Sequence, residues 1–126
     1  MYSNSAVLGL DISTSITGAT VLDPSGSLLY SEAWDTRNKK HFPSLYHKAA
    51  FLEERIQDIK DMYPITDIFI EQSLQSFRSG FSSAKTLSTL SRFNGIVSWQ
   101  CYKVFKKEPK MLASSSARKR VGIKLD

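Results

Sequence analysis

Cysteine is nearly missing from this chain of 126 residues: Cys101 stands alone. One thiol cannot close an internal disulfide, and nothing near it has zinc-ligand spacing, which excludes a disulfide scaffold and a cysteine-based zinc site. Cys101 reads instead as a small buried or partly buried hydrophobe. Long apolar runs are missing too. Ile68-Phe69-Ile70 is typical of those present, against the roughly 20 residues that cross a bilayer. No basic stretch followed by an apolar one opens the chain, so residues 1–5 carry no secretory signal. The expected location is intracellular, in the cytoplasm, with no membrane partner. Histidine is scarce; His41 and His47 flank the start of the first predicted helix and are assigned surface roles away from the residues singled out below. There is no internal repeat and no low-complexity tract beyond Ser114, Ser115 and Ser116.

What is present fits one compact domain. Hydrophobic residues make up 41% and charged residues 23% of the chain, and its length supports one core rather than two. Charge is unevenly spread. Residues 1–76 hold ten acids and six bases, whereas residues 77–126 hold eleven bases and two acids, within a net charge of +5. An asymmetry of this size favours a polyanionic partner, nucleic acid being the commonest; the alternative is a solvated basic face without a partner.

Hydrophobic periodicity divides the chain into alternating elements. Residues 6–12 (AVLGLDI) form a nearly continuous apolar strand, as for a central strand covered on both faces. Residues 17–22 and 27–34 form two more strands, joined by the turn Asp23-Pro24-Ser25-Gly26. A polar loop with a basic patch occupies residues 35–43. Ser44 caps a helix whose stripe Leu45, Ala49, Leu52, Ile56, Ile59 and Tyr63 lies on one face, and Pro64 ends it. Residues 66–71 (TDIFIE) are a second central strand, parallel to its predecessor by the logic of helix crossovers. Residues 84–102 read as a second helix with Ala84, Leu87, Ser91, Asn94 and Val97 on one side. Residues 103–105 are read as a short strand, Pro109 as the start of a linker, and residues 114–120 as a short basic helix ended by Gly122. The fold class is therefore α/β: a mixed sheet that opens with a three-strand antiparallel meander and continues with helix-connected parallel strands. RNase H-like domains and actin-like sugar kinases share this order.

Two carboxylates stand out. Asp11 and Glu71 each sit at the end of an apolar strand, where burial without compensation is costly. If the two strands are adjacent, the carboxylates converge, and paired oxygens on a rigid sheet suit a hard cation such as Mg²⁺ or Mn²⁺. The competing reading of each acid is a helix cap or a salt-bridge partner.

The segment Leu8-Gly9-Leu10-Asp11-Ile12-Ser13-Thr14-Ser15, followed by Thr17-Gly18, resembles the opening of the RuvC Holliday junction resolvases. Ile70-Glu71-Gln72 resembles the second motif of that family, at a similar distance along the chain. The helix from Ala84 through Gly95 is similar to the long helix that supports dimerisation, and the segment from Ala117 to Lys124 to the basic segment near the scissile phosphate. The resemblance spans nearly the whole chain. It implies metal-dependent phosphodiester hydrolysis on four-way or otherwise branched DNA, with Asp11 and Glu71 as metal ligands and catalytic residues. It also implies catalytic roles for Lys119 and Lys124, DNA contacts from Phe77, Arg78, Lys85, Arg118, Lys119, Arg120 and Lys124, and a homodimer.

Two features depart from the family pattern. An aromatic residue that stacks on bases is expected just after the Glu-Gln strand; Leu74 holds that place here, with Phe77 and Phe81 nearby, and Phe77 is assigned the role. The family's remaining carboxylates come on a final helix after the basic segment, whereas Asp126 follows Lys124 too closely. The expectation is one RNase H-like domain over residues 1–126, incomplete at its C-terminal end, whose missing helix comes from a longer or a second chain. The alternatives are a non-catalytic branched-DNA-binding module of the same fold and the first lobe of an actin-like sugar kinase.

Overall fold

The computed structural model describes residues 5–72 and 84–113. Its strands β1 (Ala6–Asp11), β2 (Ile16–Leu22), β3 (Leu28–Asp35), β4 (Ile65–Gln72) and β5 (Lys110–Ala113) form one sheet in the order β3-β2-β1-β4-β5. The first three make the expected antiparallel meander; β4 runs parallel to β1, and β5 parallel to β4. Helix α1 (Leu45–Met62) leads from β3 to β4, and helix α2 (Ala84–Phe105) precedes β5. Among the described residues, no helix is long and apolar enough to cross a membrane.

Local chemistry fixes the connections. The Asp23 carboxylate accepts hydrogen bonds from the amides of Ser25 and Ser27, both at 2.9 Å, and Gly26 takes φ +88° in the β2–β3 turn. A bond from the Ser25 hydroxyl, foremost, and those from the two amides hold the Asp23 carboxyl below the usual carboxylate range. Ser44 is the N-cap of α1, accepting from the His47 amide.

The two faces of the sheet differ. Leu8 stands beside Val21 and Ile68, and Leu10 beside Ala19 and Ile70, so these buried side chains share one face. They join Ala49, Leu52, Ile56 and Ile59 of α1 and Phe93, Val97, Cys101 and Val104 of α2 in a single core. Both helices therefore cover that face. Val7, Gly9, Asp11, Phe69 and Glu71 lie on the other, and each is partly or fully exposed. β1 and β4 are thus covered on one face among the described residues, not on both as their apolar runs imply.

Of the stripe predicted for α1, Ala49, Leu52, Ile56 and Ile59 are buried, and Leu45 and the C-cap Tyr63 pack partly buried against the core. For α2 the predicted side is buried only at Val97. Ala84 and Ser91 are exposed, and the buried residues are Phe93, Val97, Gln100, Cys101, Val104 and Phe105. Residues 103–105 are the last turn of this helix rather than a strand, and the fifth strand follows Pro109 where a linker was expected. Pairing with β4 supplies the hydrogen bonds that make a strand of Lys110–Ala113. The predicted helix at 114–120 lies outside the described residues.

The pairing of α1 with α2 fixes their relative height. The Gln100 side-chain amide donates to the Ala49 carbonyl at 2.9 Å, and Lys103 pairs with Glu53 at 2.7 Å. These contacts advance in the same direction along both helices, so the helices run parallel. Ala49 is the fifth residue of α1 and Gln100 the seventeenth of α2. At a rise of 1.5 Å per residue, α2 begins about 18 Å ahead of α1. Its first turns overhang the end of the core, which explains why Ala84, Lys85, Thr86, Ser88, Ser91 and Arg92 are exposed while burial begins at Phe93.

Candidate functional site

Asp11 is the last residue of β1, and it stands opposite Glu71 in the β1–β4 ladder. Neighbouring strands lie about 4.8 Å apart, and residues in parallel register share a face. The two carboxylates are therefore neighbours at the carboxyl ends of two parallel strands. On the other side Asp11 stands opposite Gly18 of β2. A Cβ built at Gly18 would meet the Asp11 Cβ at 3.8 Å, so glycine leaves that flank of the carboxylate open.

Burial is not what distinguishes the pair. Asp11 is exposed and Glu71 half-buried, because both point to the face that α1 and α2 leave uncovered. Adjacency replaces burial as the reason for a cation. Two carboxylates side by side repel, and a bound cation relieves both. No side chain among the described residues pairs with Glu71. The residues present fit two ligands of a divalent cation; among the described residues, no group of three or more His, Cys, Asp or Glu side chains completes a metal site.

The turn that follows Asp11 is braced from three directions. Within it, the Thr17 hydroxyl donates to the Ser13 carbonyl at 3.0 Å and accepts from the Ser13 amide at 3.3 Å. From beyond β3, the Thr36 amide donates to the Ser15 carbonyl at 2.8 Å, and the Thr36 hydroxyl reaches the Thr14 and Ser15 carbonyls at 3.1 and 3.2 Å. From α1, the Lys48 ammonium donates to the Thr14 carbonyl. Thr17 and Thr36 are fully buried. These contacts join three separate segments at the end of the sheet that carries the carboxylates and tie down the turn beside Asp11.

Thr36 and Lys48 escape the sequence reading. Only the closeness of segments some 20 to 34 positions apart gives them a role, and no local pattern signals it. The histidines are exposed, as expected, but their surroundings are not remote. His41 lies in the loop that begins at Thr36, and His47 precedes Lys48 on α1, so both belong to the carboxylate end of the sheet. Lys85 is exposed in the overhanging first turn of α2. Phe77, Arg78, Arg118, Lys119, Arg120 and Lys124 lie outside the described residues. The last described residue, Ala113, pairs with Gln72 and so reaches the same end of the sheet.

No protein-family model matches the chain, and no curated protein matches it by sequence. Solved structures do match in shape. A Thermus thermophilus RuvC in complex with a Holliday junction substrate is similar at a TM-score of 0.71 and 10% identity, over 91% of this chain and 68% of that one. A second Thermus thermophilus RuvC structure is similar at 0.54 and 14% identity, over 86% of this chain and 60% of that one. An exopolyphosphatase from Cytophaga hutchinsonii is similar at 0.50 and 10% identity, over 90% of this chain and 36% of that one. The chain thus spans about two thirds of the RuvC chains' length. At these identities the likeness establishes the fold: the chain has the RuvC-like, RNase H-like architecture, a mixed five-stranded sheet with helices.

Proposed function

We propose that this chain is the nuclease lobe of a structure-selective DNA endonuclease of the Holliday junction resolvase type. The observation that carries the reading is the register pairing of Asp11 with Glu71 at the carboxyl ends of two adjacent parallel strands. The Thermus thermophilus RuvC of similar fold was solved on a Holliday junction substrate, which supports branched DNA as the partner.

In this reading Asp11 and Glu71 would hold Mg²⁺ or Mn²⁺. Such ions, when bound, supply the activation of water and the stabilisation of attacking and leaving oxygens in phosphodiester hydrolysis. The chain's own part is placement. The braced turn fixes the end of β1, the parallel ladder fixes Glu71 against it, and Gly18 leaves one flank open to the phosphate. Lys119 and Lys124 are assigned to the scissile phosphate, and Phe77, Arg78, Lys85, Arg118 and Arg120 to DNA contacts. Ligands beyond Asp11 and Glu71 come from outside the described residues, and the active unit is a homodimer.

One observation favours a second reading, a branched-DNA-binding module that does not cut: two carboxylates, and not three, meet among the described residues. A gel-shift and nicking experiment on a four-way junction and a linear duplex of equal length, with Mg²⁺ or Mn²⁺, separates the two. Preferential binding with paired nicks in the junction supports the nuclease. Preferential binding without nicks, also when a longer or second chain is supplied, selects the module, and equal or absent binding removes both.

A further inference from the structure

The loop at residues 36–43 closes over the same end of the sheet as Asp11 and Glu71, through the bonds of Thr36 to the turn after β1. It is an ordered loop. The Asn38 side-chain oxygen accepts from the Lys40 amide at 2.9 Å and the His41 amide at 3.3 Å. The Asn38 carbonyl accepts from the Phe42 amide at 2.8 Å, and the Phe42 ring packs on Phe51 with centroids 5.3 Å apart. Arg37, Lys39, Lys40 and His41 are exposed.

Its charge is one-sided. From Thr36 to Lys48 the sequence has no acid. Arg37 is held by Asp35, with a 2.7 Å ion pair, and Lys48 by the Thr14 carbonyl. Lys39 and Lys40 form no ion pair among the described residues. A hydrogen-bonded turn thus holds two adjacent ammonium groups in solvent, and the one acid close to them in sequence, Asp35, is taken up by Arg37. Their mutual repulsion brings the fold no benefit, whereas a polyanion laid across them relieves it. A loop already ordered also loses little entropy when it binds.

We propose that this rim, through Lys39 and Lys40, contacts the phosphate backbone of DNA beside the Asp11–Glu71 pair. The inference rests on the nuclease reading of that pair. It adds a DNA contact within the acidic part of the sequence, where net charge conceals it. Contact through phosphates contributes affinity and register without reading the base sequence.

Salt dependence tests it. Each phosphate neutralised contributes about 0.9 to the slope of log affinity against log salt. The affinity of the full chain for a four-way junction is measured between roughly 50 and 200 mM KCl, the range in which such contacts are resolved. Lys39→Ala/Lys40→Ala lowers the slope by about 1.8, so that the affinity lost over this range is about tenfold smaller. Its melting temperature stays at the wild-type value, since both side chains are exposed. Lys60→Ala/Lys107→Ala removes the same charge from exposed positions near the C-terminal ends of α1 and α2, and leaves the slope unchanged. Equal slopes for the rim variant and wild type, or an equal drop in both variants, would overturn the inference, while junction binding by the wild type leaves the nuclease reading standing. A wild-type chain that binds no DNA overturns both.

Discussion

Asp11 and Glu71 face the same side of the sheet as direct register partners, with nothing but the strand spacing between their backbones. Like charges placed opposite one another on adjacent strands cost stability. Glu71→Gln should therefore hold or slightly raise the melting temperature in metal-free buffer while removing DNA cleavage. A scan of thermal unfolding beside a nicking assay checks this. A clear loss of stability in this variant would mark Glu71 as a structural partner.

Thr36 and Lys48 should act on the site through the turn they brace. Thr36→Val removes a buried hydroxyl that serves two carbonyls, and should cost about 1–2 kcal/mol of unfolding free energy. Lys48→Met removes the ammonium from the Thr14 carbonyl and should slow cleavage while leaving junction affinity within a few-fold of wild type. Denaturant unfolding and single-turnover cleavage separate the two effects. A Lys48→Met protein that loses affinity but cleaves its bound junction at the normal rate would show Lys48 to be a DNA contact instead of a brace.

Much of this architecture is legible in the amino-acid sequence. The meander and α1 with its buried stripe follow from local periodicity, because each element is amphipathic or apolar over most of its length, whereas the adjacency of β1 and β4 follows from the order of the elements. The face of α2 is misread for a definable reason. Its N-terminal half overhangs the core, so the small and apolar residues there, such as Ala84 and Leu87, are not packed as their spacing implies. β5 is concealed because four residues after a proline carry little pattern, and pairing with β4 alone defines them. The carboxylates are found for a partly mistaken reason: burial drew attention to them, but register brings them together. The brace by Thr36 and Lys48 depends on long-range contacts, which no local pattern in a single sequence encodes.

Cys101 gives a pH prediction. Burial pushes its thiol up from 9.0 to about 12, so the folded protein holds it neutral where the unfolded chain ionises. Its contribution to stability is complete below pH 9 and is lost as pH rises from about 9 towards 12, since over that window the unfolded state binds fewer protons. Cys101→Ala should flatten the fall in stability over this range. The native thiol should also resist a thiol reagent at about pH 8, where free cysteine already ionises in part, and react once the protein is unfolded. Fast labelling of the native protein would contradict its burial.

Asp35 restrains Arg37. The carboxylate accepts from the Arg37 backbone amide and from two guanidinium nitrogens, and these bonds hold its carboxyl down to about 2. The pair persists from neutral pH down through the ordinary carboxylate range and is lost as pH falls towards 2. Asp35→Asn leaves the guanidinium free beside Lys39 and Lys40. It should tighten binding to DNA and steepen the salt slope by about 0.9, one more phosphate contact. An unchanged or shallower slope in fluorescence-anisotropy titrations would count against Arg37 as a latent member of the rim.

The most direct test of the nuclease centre is cleavage of an end-labelled four-way junction by this chain, with Mg²⁺ or Mn²⁺ and beside an Asp11→Asn control of equal melting temperature. Symmetric nicks that require the divalent ion and vanish in the control are the predicted result. Nicks that persist in Asp11→Asn, or a chain that binds the junction and never nicks it even when a longer or second chain is supplied, would contradict the assignment of Asp11 and Glu71 as that centre.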